Sequence, residues 1–355
     1  MENATPMLRQ YLEIKKSYPG TILFFRLGDF YEMFNEDAIT GSRELGITLT
    51  ARHKDSPNPI PMCGVPHHAA ANYISKLVRK GYRVALCEQA EAAGKGVKLV
   101  KREVVRVVTP GTSIDDQLGD SKEPVYLAAV CGSGEQYGAA FLELSTGHFS
   151  VTQISGQRAW AKICEQIESF SPSEILFPNE LAQNVKDSFG NTSRSKENVP
   201  LFDEAANVQT ASGCSLTLQS NGEFDSVSCF EAITSHFRLK DVRGLGLEDR
   251  EEALRAAGAC LAYAKYTQRA SADHISELRY FESNEFMVLD AVTLRNLEIL
   301  ECRNDNNKHT LLNVIDEAVT GMGSRLIRAW LTRPSIKRSE IMTRQAAVEE
   351  LTDPV

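Results

Sequence analysis

The spacing of apolar residues in the first part of the chain predicts helices and strands in alternation. Apolar residues at helical spacing indicate helices, and short continuous apolar runs bounded by Gly or Pro indicate buried strands. The predicted elements are a helix from Thr5 to Pro19, strands at 21–27, 47–52, 82–89 and 102–110, a helix from Tyr31 to about Gly46, a proline-rich loop at 53–66 and a helix at 67–81. Interleaved elements of this kind predict a compact α/β unit.

A second pattern begins after a segment rich in Gly, Pro, Ser and Asp at 109–124. Three short apolar runs separated by Gly-containing turns predict an antiparallel meander, and a helix and a further strand follow. This order is typical of the opening of a ribonuclease-H-like sheet, although other α/β folds share it. Residues 185–226 are polar and weakly patterned, which predicts a long mobile insertion.

From about Leu247 the sequence becomes rich in Ala, Leu, Glu and Arg with helical periodicity. We expect this last part to be entirely helical. Its apolar stripes continue to Val355 and need packing partners, so we expect the chain to be part of a longer protein.

Composition indicates a globular protein of two or three domains, with 355 residues, 42% hydrophobic and 24% charged. No apolar run approaches the roughly 20 residues of a membrane span, and the first residues lack a signal-peptide core. Eight scattered cysteines without a CxxC pair fit reduced thiols. We therefore expect a cytoplasmic protein without a membrane partner.

Charge is distributed unevenly along the chain. The formal net charge is −8, but residues 1–112 carry +5 and residues 113–355 carry −13. A basic first third in an acidic protein is consistent with a local nucleic-acid surface, and it is equally consistent with chance variation.

The stretch "GDFYEMF" raises a question of chemistry because it places aromatic rings beside a carboxylate. In the predicted strand-to-helix junction, Phe30 can be a core residue and Glu32 an acid in the first helical turn, where the dipole favours it. Alternatively, Phe30 is a wedge that enters the minor groove of DNA, and Glu32 bonds to the displaced base. Near phosphates the pKa of such a carboxylate is expected to rise.

Basic residues are frequent in the following segment, 76–106, and this indicates either a phosphate-tracking surface or a solvated helix face. The cationic residues there are Lys76, Arg79, Lys80, Arg83, Lys95, Lys98, Lys101, Arg102 and Arg106.

Several blocks together resemble the MutS family of bacterial DNA mismatch-repair proteins. They are, in order, "GDFYEMF", "PIPMCGVPHHAAANYISKLV", "GYRVALCEQ", "REVVRVVTPGT", "QYGAAFLELSTGHF", "FMVLDAVTLRNLEIL" and "GSRLIRAWLTRP". A single F-x-E is a weak signal, but this ordered series covers nearly the whole chain and is specific.

The resemblance implies a multidomain protein. It implies an α/β mismatch-recognition domain at 1–112, a linker at 113–121, a ribonuclease-H-like α/β connector domain at 122–245, and the all-α start of the core domain at 246–355. The DNA contacts that we predict from the resemblance and the basic segment are Phe30, Tyr31, Glu32, Arg52, Met62, Lys76 and Lys80. The implied partners are mismatched duplex DNA, MutL through the connector domain, and a second MutS subunit in the full-length protein.

The sequence departs from the family in one respect. The family's P-loop ATPase motif is absent, and "AGKGVK" at 93–98 lacks the upstream Gly and the following Ser or Thr. We therefore expect no enzymatic activity, catalytic residue or cofactor in this chain, and we expect ATP and Mg²⁺ only in the missing C-terminal domain of the full-length protein.

The sequence supports three alternatives to mismatch recognition less well. A metal-dependent nuclease lacks support because the first strand of the second region carries no acid and Glu143 stands alone. A zinc site at Cys63, His67 and His68 lacks a fourth ligand, so no metal site is predicted. The third alternative is a module that binds branched DNA or partners without mismatch specificity.

Overall fold

A computed structural model describes most of the chain. The described residues are 5–52, 59–89, 101–113, 122–190, 208–209, 213–287, 289, 291–302 and 309–352. The predicted linker at 113–121 lies outside them except for Ser113. None of the helices in these ranges has the length and apolar content needed to cross a bilayer.

The first region is built on a mixed sheet of six described strands. In chain order they are β1 Thr21–Leu27, β2 Phe30–Phe34, β3 Thr50–Arg52, β4 Ile60–Pro66, β5 Arg83–Gln89 and β6 Arg102–Val108. Across the sheet the order is β3-β4-β2-β1-β5-β6, and only β1 and β5 are parallel neighbours. The predicted α/β unit is confirmed.

Helices cover both faces of this sheet, so the core of the first region has two layers. Helix α1 (Pro6–Ser17) packs on one face, with Tyr11 against Phe25 and Phe34. Its predicted start is confirmed because the Thr5 hydroxyl accepts a hydrogen bond from the N–H of Leu8. The helices of the opposite face are α2 (Asn35–Leu45) and α3 (Ala70–Arg79).

Two local predictions for the first region are wrong. Residues Tyr31–Phe34 belong to strand β2 and not to a helix, so the helix-dipole argument for Glu32 no longer applies. Residues Ile60–Pro66 form strand β4 and not a loop. Both segments pair with each other through non-local backbone hydrogen bonds, which override the local pattern.

The second region contains a sheet of seven described strands. They are β7 Tyr126–Ser133, β8 Gln136–Glu143, β9 His148–Ser155, β10 Glu174–Pro178, β11 Val208–Gln209, β12 Ser215–Gln219 and β13 Leu278–Tyr280. Their order is β11-β12-β10-β7-β8-β9-β13. The meander β7-β8-β9 is antiparallel as predicted, and β10 is parallel to both β7 and β12.

The expected insertion at 185–226 is wrong where the structure describes it. Helix α5 (Ala182–Phe189) enters this range, and Ser215–Gln219 is a sheet strand next to β10. Its residues 191–207 and 210–212 lie outside the described part of the chain. Helix α4 (Ala159–Phe170), predicted from the sequence, packs on the meander.

The core of the second region extends beyond the predicted boundary at 245/246. Helix α6 (Ser226–Phe237) and helix α7 (Glu251–Gln268) contribute to the same apolar core as the sheet. The prediction of purely helical structure after 246 is wrong at Leu278–Tyr280, because this strand pairs in parallel with β9.

The last described part is helical and rests on the second region. Its helices are α8 Ala291–Asn296, α9 Leu311–Ile315, α10 Gly321–Thr332 and α11 Arg338–Thr352. A break falls between α10 and α11, where Pro334 cannot continue a helix. The guanidinium of Arg333 at this break lies among the rings of Phe170, Phe281 and Phe286. Its Cζ atom is 3.9 to 4.5 Å from the three ring centres.

Short 3-10 helices complete the described structure. They are His67–Ala69, Asn179–Leu181, Asn221–Phe224, Arg243–Leu245 and Ser283–Glu285.

Candidate nucleic-acid interface

A tight hairpin between β1 and β2 presents Phe30 at the surface. Leu27 pairs with Phe30, so only Gly28 and Asp29 form the loop. Gly28 has a φ of 60°, which suits the first position of a two-residue type II′ turn. Phe30 follows directly and is 47% exposed, so its ring lies outside the core.

Strand periodicity places three further predicted residues on the face that Phe30 occupies. Side chains alternate along β2, so Glu32 lies on the same side as Phe30. Met62 pairs with Phe34 and Arg52 pairs with Ile60, which puts both on this side as well. The structure therefore brings together Phe30, Glu32, Arg52 and Met62, which lie far apart in the sequence. We call these four residues the β2 face.

Glu32 has an unusual environment within this group. Its Oε2 is shielded from solvent and has no hydrogen-bond partner among the described residues. Arg52 Nη1 lies 3.6 Å from Oε2, an ion-pair distance that is too long for a hydrogen bond. Burial raises the pKa of the Glu32 carboxyl, and the positive charge of Arg52 lowers it by less. Glu32 is thus an acceptor with free bonding capacity beside a cation.

Tyr31 lies on the opposite side of β2, against the expectation that it lines the DNA surface. Its side chain is buried with 5% exposure, and its hydroxyl donates to Glu88. The guanidinium of Arg26 lies 5.6 Å from the centre of the Tyr31 ring, and Nη1 of Arg26 lies 3.9 Å from Oε1 of Glu88. Tyr31 therefore packs beneath the hairpin and points away from the β2 face.

The two lysines predicted to contact DNA, Lys76 and Lys80, do not lie on the β2 face. Lys76 and Lys80 lie on and just after α3, which packs on the opposite side of the sheet. Lys80 Nζ donates to the carbonyl oxygen and the carboxylate of Glu44 at 2.7 and 3.1 Å. Arg102 is buried beside Phe25 and donates to the carbonyl of Arg26. Lys95 and Lys98 fall outside the described residues.

The residues considered for metal chemistry remain apart. Within the described ranges, no three His, Cys, Asp or Glu side chains lie close enough to hold a metal ion. Glu143 is buried, and its carboxylate accepts from the backbone and hydroxyl groups of Ser145 and Thr146. These contacts give Glu143 a turn-capping role.

Sequence reasoning missed one residue of this site, Gly64. It pairs with Glu32 across β2 and β4, and it is exposed. The signal was an isolated Gly in an apolar stretch, which often marks a strand position where another group approaches closely. The proline-rich composition of residues 53–66 conceals this signal, because such composition predicts a loop.

Three family models match the chain in succession. The model "MutS domain I" matches residues 5–117, "MutS domain II" matches 125–276 and "MutS domain III" matches 292–355. The β2 face falls in the first match. Helix α7 lies within the second match, and strand β13 begins just after its end.

Curated relatives align over almost the entire chain. The DNA mismatch repair protein MutS of Solibacter usitatus is 43% identical over 98% of this chain. The proteins of the same name from Halothermothrix orenii and Methanosarcina barkeri are each 39% identical, over 99% and 98% of the chain. The chain spans about 38% of the length of these relatives.

Proposed function

Because the chain belongs to the MutS family of DNA mismatch repair proteins, we propose that it recognises mismatched and unpaired bases in duplex DNA through the β2 face. The observation that carries this proposal is the position of Phe30. It is a half-exposed aromatic ring directly after the two-residue turn of the β1–β2 hairpin, on the same side of the strand as a carboxylate oxygen without a hydrogen-bond donor among the described residues.

In the proposed mechanism, Phe30 inserts between base steps from the minor groove and kinks the duplex. Separating a stacked step costs a few kcal/mol, and wider contact with the bent DNA offsets this cost. A mismatched or extrahelical base has already lost part of its pairing, so it is easier to unstack. Deformability is then the property that distinguishes a mismatch from paired DNA.

Glu32 increases the discrimination between mismatched and well-paired DNA, and it does not increase the overall affinity for DNA. As an anion it repels the phosphates of well-paired DNA, and at a mismatch it hydrogen-bonds to the edge of the displaced base. Its raised pKa favours protonation near phosphates, and a protonated carboxyl can also donate to a base nitrogen. Arg52 partly neutralises the carboxylate and is free to contact a phosphate when DNA approaches.

The other regions of the chain receive proposals from family membership. We assign a ribonuclease-H-like connector fold to the second region. The support is the order of its five central strands, β9-β8-β7-β10-β12. In this order the meander strands β7, β8 and β9 pair antiparallel, and β10 pairs parallel to both β7 and β12. We further propose MutL as a partner of this region, a second MutS subunit for the whole protein and a cytoplasmic location. We assign the binding of ATP and Mg²⁺ to the part of the full-length relatives that extends beyond these 355 residues.

Fluorescence anisotropy of the 355-residue chain on three labelled duplexes tests the proposal. The duplexes are fully matched, carry one G·T pair, or carry one unpaired base. Tighter binding to the second and third duplexes is the expected result. Equal affinity for all three would instead support the alternative, a DNA-structure or partner-binding module without mismatch specificity. Cleavage of any duplex on addition of Mg²⁺ would support a nuclease.

A further inference from the structure

Gly64 is the residue that faces Glu32 across the β4 and β2 strands. The two residues are directly paired in the antiparallel register, so their side-chain positions share one face of the sheet. Gly64 is exposed and has no positive φ that would require glycine. The backbone conformation thus does not explain the absence of a side chain at this position.

A side chain at position 64 would occupy the space beside Glu32. A Cβ built on Gly64 would lie 3.6 Å from Glu32 Cγ and 3.2 Å from the carbonyl oxygen of Tyr31. The first distance is an ordinary van der Waals contact, and the second requires a small backbone adjustment. A methyl group is therefore tolerable for the fold, but it would cover the flank of the Glu32 side chain.

The carboxylate beside this position is chemically incomplete. Glu32 Oε2 lacks a hydrogen-bond partner within the described part of the chain, and Arg52 Nη1 at 3.6 Å does not supply one. A shielded carboxylate oxygen without a donor is costly, and it is compensated when a ligand provides an N–H group. The edges of unpaired bases carry such groups.

We propose that Gly64 is a specificity-determining residue, because its missing side chain leaves open the approach by which the N–H edge of a displaced base reaches Glu32. This inference rests on the proposed function of the β2 face. It makes Gly64 a positioning residue: it touches no reacting group, and it acts only through the access that it gives to the carboxylate.

A double-mutant cycle tests this proposal. In the 355-residue chain, Gly64→Ala should lower the ratio of affinities for the one-base-insertion and matched duplexes about tenfold, the loss of one hydrogen bond to a charged group. Binding to the matched duplex should stay within about twofold, because Glu32 makes no base contact there. In a Glu32→Ala background, the same Gly64→Ala change should leave the ratio unaltered.

The control is Gly244→Ala, another exposed glycine without a positive φ and with open space around its Cβ position. It should change neither affinity. Circular dichroism and thermal unfolding establish that each variant is folded. If Gly64→Ala does not fold, Gly64→Ser provides the second test, because its side chain covers the same flank of Glu32 and should also reduce the ratio.

The outcomes separate this inference from the proposed function. If Phe30→Ala removes the mismatch preference and Glu32→Ala reduces it, but Gly64→Ala retains it in full, the inference on Gly64 is wrong and the proposed function stands. An equal loss from Gly64→Ala with and without Glu32 also overturns it, since the effect then does not pass through the carboxylate. If the unmodified chain shows no preference, both fail.

Discussion

The backbone N–H of Gly111 donates a hydrogen bond to Oε2 of Glu174 over 3.0 Å, and this bond joins the first region to the second. Glu174 begins strand β10 and is fully buried. The hydroxyl of Thr109 donates to the same oxygen at 2.5 Å, and the hydroxyls of Thr217 and Tyr263 donate to Oε1 at 2.7 Å. One carboxylate thus connects the end of the first sheet, strand β12 and helix α7.

Replacing Glu174 is expected to weaken this joint in a graded way. Glu174→Ala should lower the free energy of unfolding by about 3 kcal/mol or more, because four donors lose their acceptor inside the protein. Glu174→Gln should cost about 1 kcal/mol, since the amide oxygen can accept from Gly111 while the Thr217 and Tyr263 hydroxyls rotate to accept from the amide nitrogen. Urea unfolding of both variants measures the difference. Equal losses would contradict this account of the network.

Removing the Phe30 ring should abolish mismatch preference without unfolding the chain. Phe30→Ala should cost less than about 1 kcal/mol of stability, because the ring is about half exposed and its removal leaves little cavity. Residual DNA binding should be weak, equal for matched and mismatched duplexes, and sensitive to salt. The measurement is anisotropy at two salt concentrations.

A matched control for Phe30 is Ile39→Ala. Ile39 is 46% exposed, but it lies on α2, behind the opposite face of the sheet. Its substitution should leave discrimination unchanged. Undiminished discrimination in the Phe30 variant would rule out the wedge assignment.

Neutralising Glu32 should increase both stability and affinity for matched DNA. Burial raises the folded-state pKa of Glu32, so the ionised form is less favourable in the folded protein than in the unfolded chain. Glu32→Gln should therefore stabilise the chain at neutral pH, because a neutral amide does not carry the cost of burying an ionised carboxylate. Matched DNA should bind more tightly because repulsion of phosphates is lost.

The pH dependence of this gain has a definite sign. The ionised carboxyl destabilises the fold only above the unfolded-state pKa of about 4.3, and the full effect is present above the raised folded-state pKa. The advantage of Glu32→Gln in thermal unfolding should therefore grow as the pH rises above about 4.3 and disappear as the pH falls below it. An advantage that persists at pH 3.5 would indicate a packing effect instead.

Tyr31 is expected to support the hairpin without contacting DNA. Tyr31→Phe removes the hydroxyl that donates to Glu88 and should cost about 1.5 to 3 kcal/mol, as for a hydrogen bond to a charged group. At temperatures where both proteins are folded, its mismatch preference should equal that of the unmodified chain. A selective loss of this preference would restore Tyr31 to the DNA-contacting residues.

Local sequence patterns predicted the strands that are buried and the helices that have clear ends. The run at Thr21–Leu27, the meander and helix α4 are examples, because continuous apolar runs and regular spacing report burial directly. The same patterns gave a wrong prediction at Tyr31–Phe34. This strand continues directly into helix α2, and its apolar residues have the same helical spacing as those of the helix. Only pairing with β1 and β4 makes this segment a strand, and pairing between distant segments leaves no local pattern.

The sequence by itself determined the family, the α/β character of the first region and the identity of Phe30 and Glu32 as a candidate pair. The tertiary structure decided which side chains are available to a ligand. Alternation along a strand separates Phe30 and Glu32 from Tyr31, but the helices packed on each face decide which set is buried. For the same reason Lys76 and Lys80 came to lie behind the sheet, and Gly64 came to face Glu32. These relationships depend on contacts between segments far apart in the chain, which local spacing does not encode.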